Sequence, residues 1–281
     1  MTKNREQEKR LDYLLKKLKE DSVQYKDLEV GDSYEDKRMA LRSLMNIRMP
    51  RHMADDVLKV QDDFLMEEAK EKGIVTLAEI PAVRKQYGSK GPYADKLSVW
   101  QGDITRLSVD AIVNAANSQM LGCFVPCHRC IDNAIHSAAG IRLRKECADY
   151  MNRKKMQVGP NYVEPVGQAV LTKGYNLPAK YIIHTVGPIV RYQLTDALRK
   201  GLENCYQSIL QCCMENGIRT VAFCCISTGE FHFPNDEAAK IAVKTVTQFL
   251  SEHEQKFDRI IFNVFKEEDR EIYERIMKTQ L

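Results

Sequence analysis

The stretch DAIVNAANS, residues 110–118, runs from a short apolar segment directly into two asparagines with small residues between them. Such a segment is typical of a buried β-strand, and residues just past its carboxyl end lie where open α/β sheets bind ligands. Asparagine suits such a site because it both donates to and accepts from sugar hydroxyls, although Asn114 taken alone is also explained as a turn former. The stretch therefore predicts an α/β sheet with a polar ligand site at one edge.

Segments of the same type recur along the chain from residue 97 onwards. They are LSVWQ (97–101), QAVLT (168–172), KYIIHTV (180–186), RTVAFCC (219–225) and RIIFNV (259–264). Helical sequence lies between several of them, at residues 131–139, 194–216, 236–252 and 267–278. This alternation predicts the α/β class, with a largely buried mixed β-sheet sandwiched between helices.

The first third of the chain has a different pattern. Apolar residues recur at helical spacing between residues 11 and 18, from Ser33 to a stop at Pro50, and from Ala54 to about Lys72. The segment GSKGP, residues 88–92, has the composition of a linker. We therefore expect an N-terminal helical region at residues 1–92 and a second domain at residues 93–281.

The composition limits the classes of function. The 281 residues carry a net charge of +3 and are 29% charged, a balance that does not favour nucleic acid as a partner. The N-terminal MTKNREQEKR lacks the apolar run of a secretory signal, and no stretch approaches the roughly 18 uncharged apolar residues of a membrane span. The nine cysteines are odd in number and none precedes Cys123, which favours a reduced compartment. We expect a cytoplasmic protein with no membrane partner.

A cluster of soft metal ligands lies in GCFVPCHRCIDN, residues 122–133. The candidates are Cys123, Cys127, His128 and Cys130. Thiolates and imidazole are ligands that zinc prefers, and an incidental cysteine-rich loop is the alternative explanation. Asp132 follows the cluster directly and, by position alone, is explained as the N-cap of the next helix.

Two other strand ends carry loops that suit a nucleotide. GDIT, residues 102–105, follows the strand at 97–101, where Asp103 is also explained as a turn cap. The loop ISTGEF, residues 226–231, joins a strand to a helix, and its small residues would expose backbone N–H groups to a diphosphate. It is not a Walker A loop because no lysine follows the glycine. Each loop is a weak signal by itself.

Taken together, GDIT, IVNAAN (112–117), HTVGP (184–188) and the Ser-Thr-Gly loop resemble the macrodomain family, whose members bind ADP-ribose. The resemblance covers about residues 93–281, with the motifs in the family's order. It implies that Asp103 and Ile104 hold the adenine and that Phe265 stacks on it, a contact that contributes about 1–3 kcal/mol. It implies that Asn117 holds the distal ribose. The residues that would wrap the diphosphate and the distal ribose are Ser227, Thr228, Gly229, Glu230 and Phe231.

The cysteine-rich loop is similar to that of zinc-containing macrodomains, whose pattern is GCFxPxHxCIDNxIH. This resemblance implies zinc ligands at Cys123, His128 and Cys130, and it leaves the role of Cys127 open. Three protein ligands would leave a fourth position for water or substrate, as in catalytic zinc sites, whereas a fourth ligand would close the site. Asp132 would then be a catalytic carboxylate near the distal ribose. The residues expected to contact or act on that end of ADP-ribose are Asn117, Cys130, Ile131 and Asp132.

The function implied by this resemblance is zinc-dependent hydrolysis that removes mono-ADP-ribose from protein side chains, expected to be Asp or Glu, and releases ADP-ribose. The sequence leaves open whether zinc activates a water or holds the substrate. Two alternatives stay open: a non-catalytic ADP-ribose reader with a structural zinc, and a phosphatase acting on ADP-ribose 1″-phosphate. Zinc-containing macrodomains resemble partners of a class M sirtuin that modifies a lipoylated, glycine-cleavage H-like carrier protein, so we expect such a carrier as the substrate protein.

Overall fold

The computed structural model describes residues 5–279, and its centre is a six-stranded mixed sheet. The strands in chain order are β1 (Val75–Thr76), β2 (Leu97–Gln101), β3 (Leu107–Ser108), β4 (Ala111–Ala116), β5 (Ala169–Lys173), β6 (Tyr181–Val186), β7 (Thr220–Phe223) and β8 (Arg259–Val264). The large sheet has the order β2-β8-β7-β4-β6-β5, in which β5 alone pairs antiparallel. The short strands β1 and β3 form a separate parallel pair.

Nearly every residue of β4, β6 and β8 is buried, whichever face of the sheet it points to. Both faces are therefore covered, as parallel strands flanked by helices require. The predicted α/β sandwich is confirmed, and the strands predicted at 97–101 and 259–264 have those bounds in the structure. None of the helices within residues 5–279 is long and apolar enough to cross a bilayer.

Five helices follow β4 along the chain. They are α5 (Ile131–Ala139), α6 (Ile141–Val158), α7 (Asp196–Glu215), α8 (Asn235–His253) and α9 (Glu267–Thr279). The sequence predicts all of these except α6. The buried residues of α6 have helical spacing, and they are Ile141, Leu143, Arg144, Cys147, Ala148 and Met151. The arginine among them weakens the apolar pattern. That arginine proves central to the candidate site.

The N-terminal region consists of helices, as the sequence predicts, and their bounds are α1 (Arg5–Glu20), α2 (Tyr34–Ile47), α3 (Asp55–Glu71) and α4 (Val83–Tyr87). The Ser33 hydroxyl caps α2 by accepting from the Asp36 N–H. Helices α1 to α3 bury an apolar cluster of their own, which also contacts Ile141 at the start of α6. Residues 75–83 belong instead to the main core around the sheet. The division of the chain at residue 92 stays a prediction.

Candidate active site

Five parallel strands end at one edge of the sheet, and the loops after β2, β4, β7 and β8 meet there. Five residues other than glycine have a positive φ within the described chain, and four of these lie in two of the loops: Met120, Cys127, Ser227 and His232. A left-handed backbone costs free energy in residues other than glycine and is concentrated at functional sites. The edge is therefore the natural place for the ligand site predicted from the sequence.

The loop after β2 lies against the end of β8. The Asn263 side chain donates to the carbonyl oxygens of Trp100 and Gly102 at 3.2 and 3.0 Å and so ties the two strand ends together. Asp103 Oδ1 accepts from the Thr105 N–H and hydroxyl, so the cap predicted for Asp103 is present. Two residues beyond Asn263, Phe265 is 75% exposed. The structure thus places the loop with Asp103 and Ile104 next to the strand end that carries Phe265, and Ile104 is buried.

Asp132 lies in the first turn of α5, only 5% exposed, where both predicted asparagines reach it. Asn114 Nδ2 donates to Asp132 Oδ1 at 2.8 Å, and Asn117 Nδ2 lies 3.4 Å from Asp132 Oδ2. The N-cap of α5 is Cys130, whose Sγ accepts from the Asn133 N–H at 3.4 Å. The N-cap explanation of Asp132 is therefore wrong. Ile131, the first residue of α5, lies between Cys130 and Asp132 in the sequence and is partly buried.

A buried hydrogen-bonded chain of His184 and Thr172 holds the Asn114 side chain. His184 Nδ1 lies 3.0 Å from Asn114 Nδ2, and His184 Nε2 lies 2.9 Å from Thr172 Oγ1. Because the amide nitrogen only donates, His184 Nδ1 accepts and its Nε2–H donates to Thr172. Burial lowers the pKa of His184 to about 3, so the ring is neutral. His136 and Cys147 lie close enough to His184 to suggest a second ion site, but both ring nitrogens of His184 are already engaged.

The predicted metal ligands come together in the loop before α5. The donor atoms of Cys123, His128 and Cys130 all lie within 4.8 Å of one another. Cys123 Sγ is 3.6 Å from His128 Nδ1, and two ligands bound at zinc distances in a tetrahedron are about 3.6 Å apart. Burial and the Cys123 thiol raise the pKa of Cys130 to about 12, effects that a cation at the site would oppose. The donor set and its spacing fit zinc.

Cys127 faces away from this group of donors. Its thiol donates to the Met39 carbonyl oxygen at 3.6 Å, and its Sγ lies 3.2 Å from Ser43 Oγ, both on α2. Its backbone N–H donates to Asn46 Oδ1 at 2.9 Å. The candidate ligand set therefore has three members, which would leave a tetrahedral ion one position for a ligand from outside this set.

The loop after β7 approaches the same donors from the other side. Glu230 Oε1 lies 3.7 Å from His128 Nε2, the ring nitrogen opposite the one that faces Cys123. Ser227 has a φ of 66° and its carbonyl accepts from the Phe233 N–H at 2.9 Å. Its buried hydroxyl finds no hydrogen-bond partner among residues 5–279. The other residues predicted for this loop, Thr228, Gly229 and Phe231, form the turn between β7 and α8.

Arg144 of α6 is the residue that sequence reasoning missed. Its guanidinium is buried and donates to five carbonyl oxygens at 2.6–3.3 Å, those of Met45, Asn46, Arg48, Leu121 and Cys123. The Phe124 ring lies 4.2 Å from its Cζ. Burial lowers the pKa of Arg144 to about 10. Burial likewise raises the pKa of Asp132 to about 6, against the lowering effects of the Asn114 hydrogen bond and of Arg144. The acceptors of Arg144 are main-chain atoms distant in sequence, so no pattern of side chains predicts that this arginine is buried at the site.

The sheet and its edge define a class of α/β domain that binds a nucleotide-like ligand over the carboxyl ends of its strands. The model of the family described as Macro domain matches residues 113–242. A protein-ADP-ribose hydrolase of Treponema medium is 44% identical over 271 residues, 96% of this chain and 99% of that protein. A protein-ADP-ribose hydrolase of Staphylococcus aureus (strain MRSA252) is 42% identical, over 94% of this chain and 93% of that protein. This chain therefore belongs to the macrodomain family.

Solved structures give the same result for the fold. A Trypanosoma brucei macrodomain in complex with ADP-ribose superposes with a TM-score of 0.63 at 28% identity, over 87% of this chain and 96% of that one. An Oceanobacillus iheyensis macrodomain with ADP superposes with a TM-score of 0.58 at 36% identity, over 66% of this chain and 90% of that one. The macrodomain fold predicted from the sequence is confirmed, together with an N-terminal helical region.

Proposed function

We propose that this chain is a zinc-dependent protein-ADP-ribose hydrolase, which removes mono-ADP-ribose from a modified protein side chain and releases ADP-ribose. One observation carries the proposal: three soft donors within 4.8 Å of one another lie in the same short loop and helix start as the buried carboxylate of Asp132. Relatives named as protein-ADP-ribose hydrolases, similar over nearly the whole chain, support the hydrolase activity. Their names do not include zinc, which rests on the donors in this chain.

Cys123, His128 and Cys130 would hold the zinc. When bound, the ion would supply Lewis-acid polarisation of a substrate oxygen or a lowered pKa for a water. Cys127 is held against α2, which supports a three-ligand site. Glu230 lies near the outer nitrogen of His128, where a carboxylate favours the ring orientation that a ligand needs.

Asp132 is proposed to accept the proton of the water that attacks C1″ of the distal ribose, while the bond from C1″ to the oxygen of the modified side chain breaks. Asp132 Oδ1 accepts from Asn114, whereas Oδ2 has only the longer contact of 3.4 Å with Asn117, so Oδ2 can also accept from a water or a ribose hydroxyl beside Asn117. The remaining residues would supply binding energy that places the reacting carbon. In this proposal adenine is held by Asp103, Ile104 and Phe265; the diphosphate and the distal ribose are held by Asn117, Cys130, Ile131, Ser227, Thr228, Gly229, Glu230 and Phe231.

The test uses a mono-ADP-ribosylated protein as substrate and measures released ADP-ribose. The zinc-loaded protein releases ADP-ribose, and Cys130→Ala loses both zinc and release. Asp132→Asn keeps an oxygen for Asn114 to donate to, so it binds ADP-ribose with a Kd near that of the parent while kcat falls about 10²- to 10⁴-fold. Binding without release by the parent protein would identify a reader, and release of inorganic phosphate from ADP-ribose 1″-phosphate a phosphatase. Full activity of Cys130→Ala contradicts zinc catalysis.

The substrate protein and the setting belong to the same proposal. Substrates modified at Asp or Glu, compared with the same protein modified at Ser or Arg, test the predicted linkage. The lipoylated carrier protein and the class M sirtuin stay predictions from the resemblance, as does a cytoplasmic location, with which nine free thiols are consistent. Two units, residues 1–92 and 93–281, are likewise kept as a proposal.

A further inference from the structure

We propose that helix α2 of the N-terminal region is the outer part of the metal site. Arg42 and Asn46 act as positioning residues that hold the metal loop, defined as residues 121–130, with its three donors together. Ser43 holds the thiol of Cys127, the fourth candidate ligand, away from them. This inference rests on the proposed function, because it takes the metal loop to bind zinc. It gives the N-terminal helices a role in the chemistry of the site.

Asn46 fixes the middle of the metal loop. It is 1% exposed; its Oδ1 accepts from the Cys127 N–H at 2.9 Å, and its Nδ2 donates to Ser137 Oγ at 2.9 Å. Cys127 has a φ of 52°, a left-handed conformation that the surroundings must impose in a residue other than glycine. A buried N–H needs an acceptor, and Asn46 supplies it for this conformation. The Asn46 side chain of α2 therefore stabilises the turn just before His128.

Arg42 fixes the end of the loop through Asn133. Its Nη2 and Nε donate to Asn133 Oδ1 at 2.7 and 3.2 Å, and its Nη2 lies 3.4 Å from the His128 carbonyl oxygen. Because arginine only donates, it forces the amide of Asn133 to turn its oxygen towards α2 and its nitrogen towards the loop. That nitrogen donates to the Val125 carbonyl at 3.0 Å, and the Asn133 N–H donates to Cys130 Sγ.

Helix α2 also bears on the number of ligands. Cys127 lies in the same loop as the three donors, and its thiol is held by Ser43 Oγ at 3.2 Å and by the Met39 carbonyl at 3.6 Å. A thiol released from these contacts is close in sequence to two thiolate ligands and would complete a four-ligand, structural type of site. The contacts with α2 therefore favour three protein ligands and a fourth position that stays open.

The chain offers a matched control for Arg42. Arg38 lies one helical turn earlier on α2, and its guanidinium makes two hydrogen bonds to Glu68 of α3 at 2.6 and 2.8 Å and stacks over Phe64. Arg38→Ala therefore removes an equally well-bonded arginine from the same helix without touching the metal loop. A merely structural role of α2 predicts that Arg38→Ala and Arg42→Ala behave alike.

The experiment measures metal binding by the full-length protein. Zinc affinity is obtained by competition with a chromophoric chelator, and the cobalt-substituted protein reports thiolate ligation through its charge-transfer absorption. We expect Arg42→Ala and Asn46→Ala to weaken zinc binding about 10- to 100-fold and to alter the cobalt spectrum, while Arg38→Ala leaves both at parent values. Ser43→Ala is expected to increase the thiolate-to-cobalt absorption, as Cys127 joins the ligands, and Ser43→Ala combined with Cys127→Ala restores it.

The outcomes separate the two proposals. If the parent protein binds neither zinc nor cobalt, the proposed function fails. If the parent binds both and Arg42→Ala and Asn46→Ala bind zinc as Arg38→Ala does, the role of α2 is overturned while the zinc site stands. Circular dichroism of each variant checks that the helices are retained, so a weaker affinity is not misassigned to unfolding.

Discussion

Replacing Arg144 by methionine removes the guanidinium that joins α2, the metal loop and α6, and keeps most of the side-chain volume. Three of its acceptors, the carbonyls of Met45, Asn46 and Arg48, lie at the end of α2, where carbonyls have no partner within the helix. The other two acceptors belong to the metal loop. The substitution therefore removes the hydrogen-bond donor of carbonyl groups at the end of α2 and in the metal loop.

The expected cost follows from these contacts. A buried acceptor that loses its donor costs about 1–3 kcal/mol. Part of this loss is offset because a charge is no longer buried and because water can reach the loop carbonyls. With the three carbonyls of α2 left without a donor, we expect Arg144→Met to lower the free energy of unfolding by about 3–5 kcal/mol. Tm should fall by roughly 2–4 °C for each kcal/mol.

Urea unfolding of the metal-free protein, followed by circular dichroism, measures this cost without the contribution of bound zinc. The control is Arg142→Met, two residues earlier on α6, whose guanidinium pairs with Asp62 near the surface and has 39% of its side chain exposed. Such a pair contributes about 0–1 kcal/mol. A loss of less than about 1 kcal/mol for Arg144→Met, or the same loss in both arginine variants, would show that the five carbonyl contacts do not stabilise the protein.

Three further predictions concern other parts of the molecule. Phe265→Ala should weaken ADP-ribose binding by about 1–3 kcal/mol through lost stacking, measured by calorimetry; Tyr181→Ala, at the opposite end of the strands, should leave it unchanged. Asp110 accepts from two main-chain N–H groups. Burial raises the pKa of Asp110, but its hydrogen bonds lower it by more, so Asp110 has a pKa below its usual value. Its contribution, about 2 kcal/mol, is therefore present above the unfolded pKa of about 4 and lost as pH falls through the lower folded value. The stability difference between the parent and Asp110→Ala should accordingly shrink below about pH 4; a constant difference contradicts this. Gly122→Ala should destabilise the metal loop by about 1–3 kcal/mol and weaken zinc binding, because φ is 77° and the added Cβ would lie 2.9 Å from the His136 ring.

Much of the fold follows from local pattern. Strands such as 97–101 and 259–264 have the predicted bounds because short apolar runs between turn residues have few other ways to bury themselves. Helix α6 escaped prediction because Arg144 lies in its buried stripe. A charge on a buried face is tolerated only where distant carbonyls surround it, and a helical pattern contains no information about those carbonyls.

Within the candidate site, too, some features follow from local spacing and others depend on distant contacts. Spacing in one loop was sufficient to single out Cys123, His128 and Cys130 as candidate ligands, because residues five and seven positions apart are close enough along the chain to reach one ion. Spacing also placed Asn117 just past the end of a strand, whereas Asn114, expected beside it, lies within β4 and is fully buried. The N-cap assignment for Asp132 failed because Cys130 has the extended backbone of the cap, a choice made by the loop rather than by residue preference.

Residues close together in the chain are sufficient to predict the α/β class, the polar loops after three of the strands and the soft donors in the loop before α5. The meeting of those loops at one edge of the sheet and the position of Cys127 depend instead on tertiary contacts. Its thiol could turn towards the other donors or away from them by local geometry alone, and Ser43 and Asn46, more than eighty positions earlier, hold it against α2. Contacts between distant segments depend on packing, and packing has no signature in local spacing.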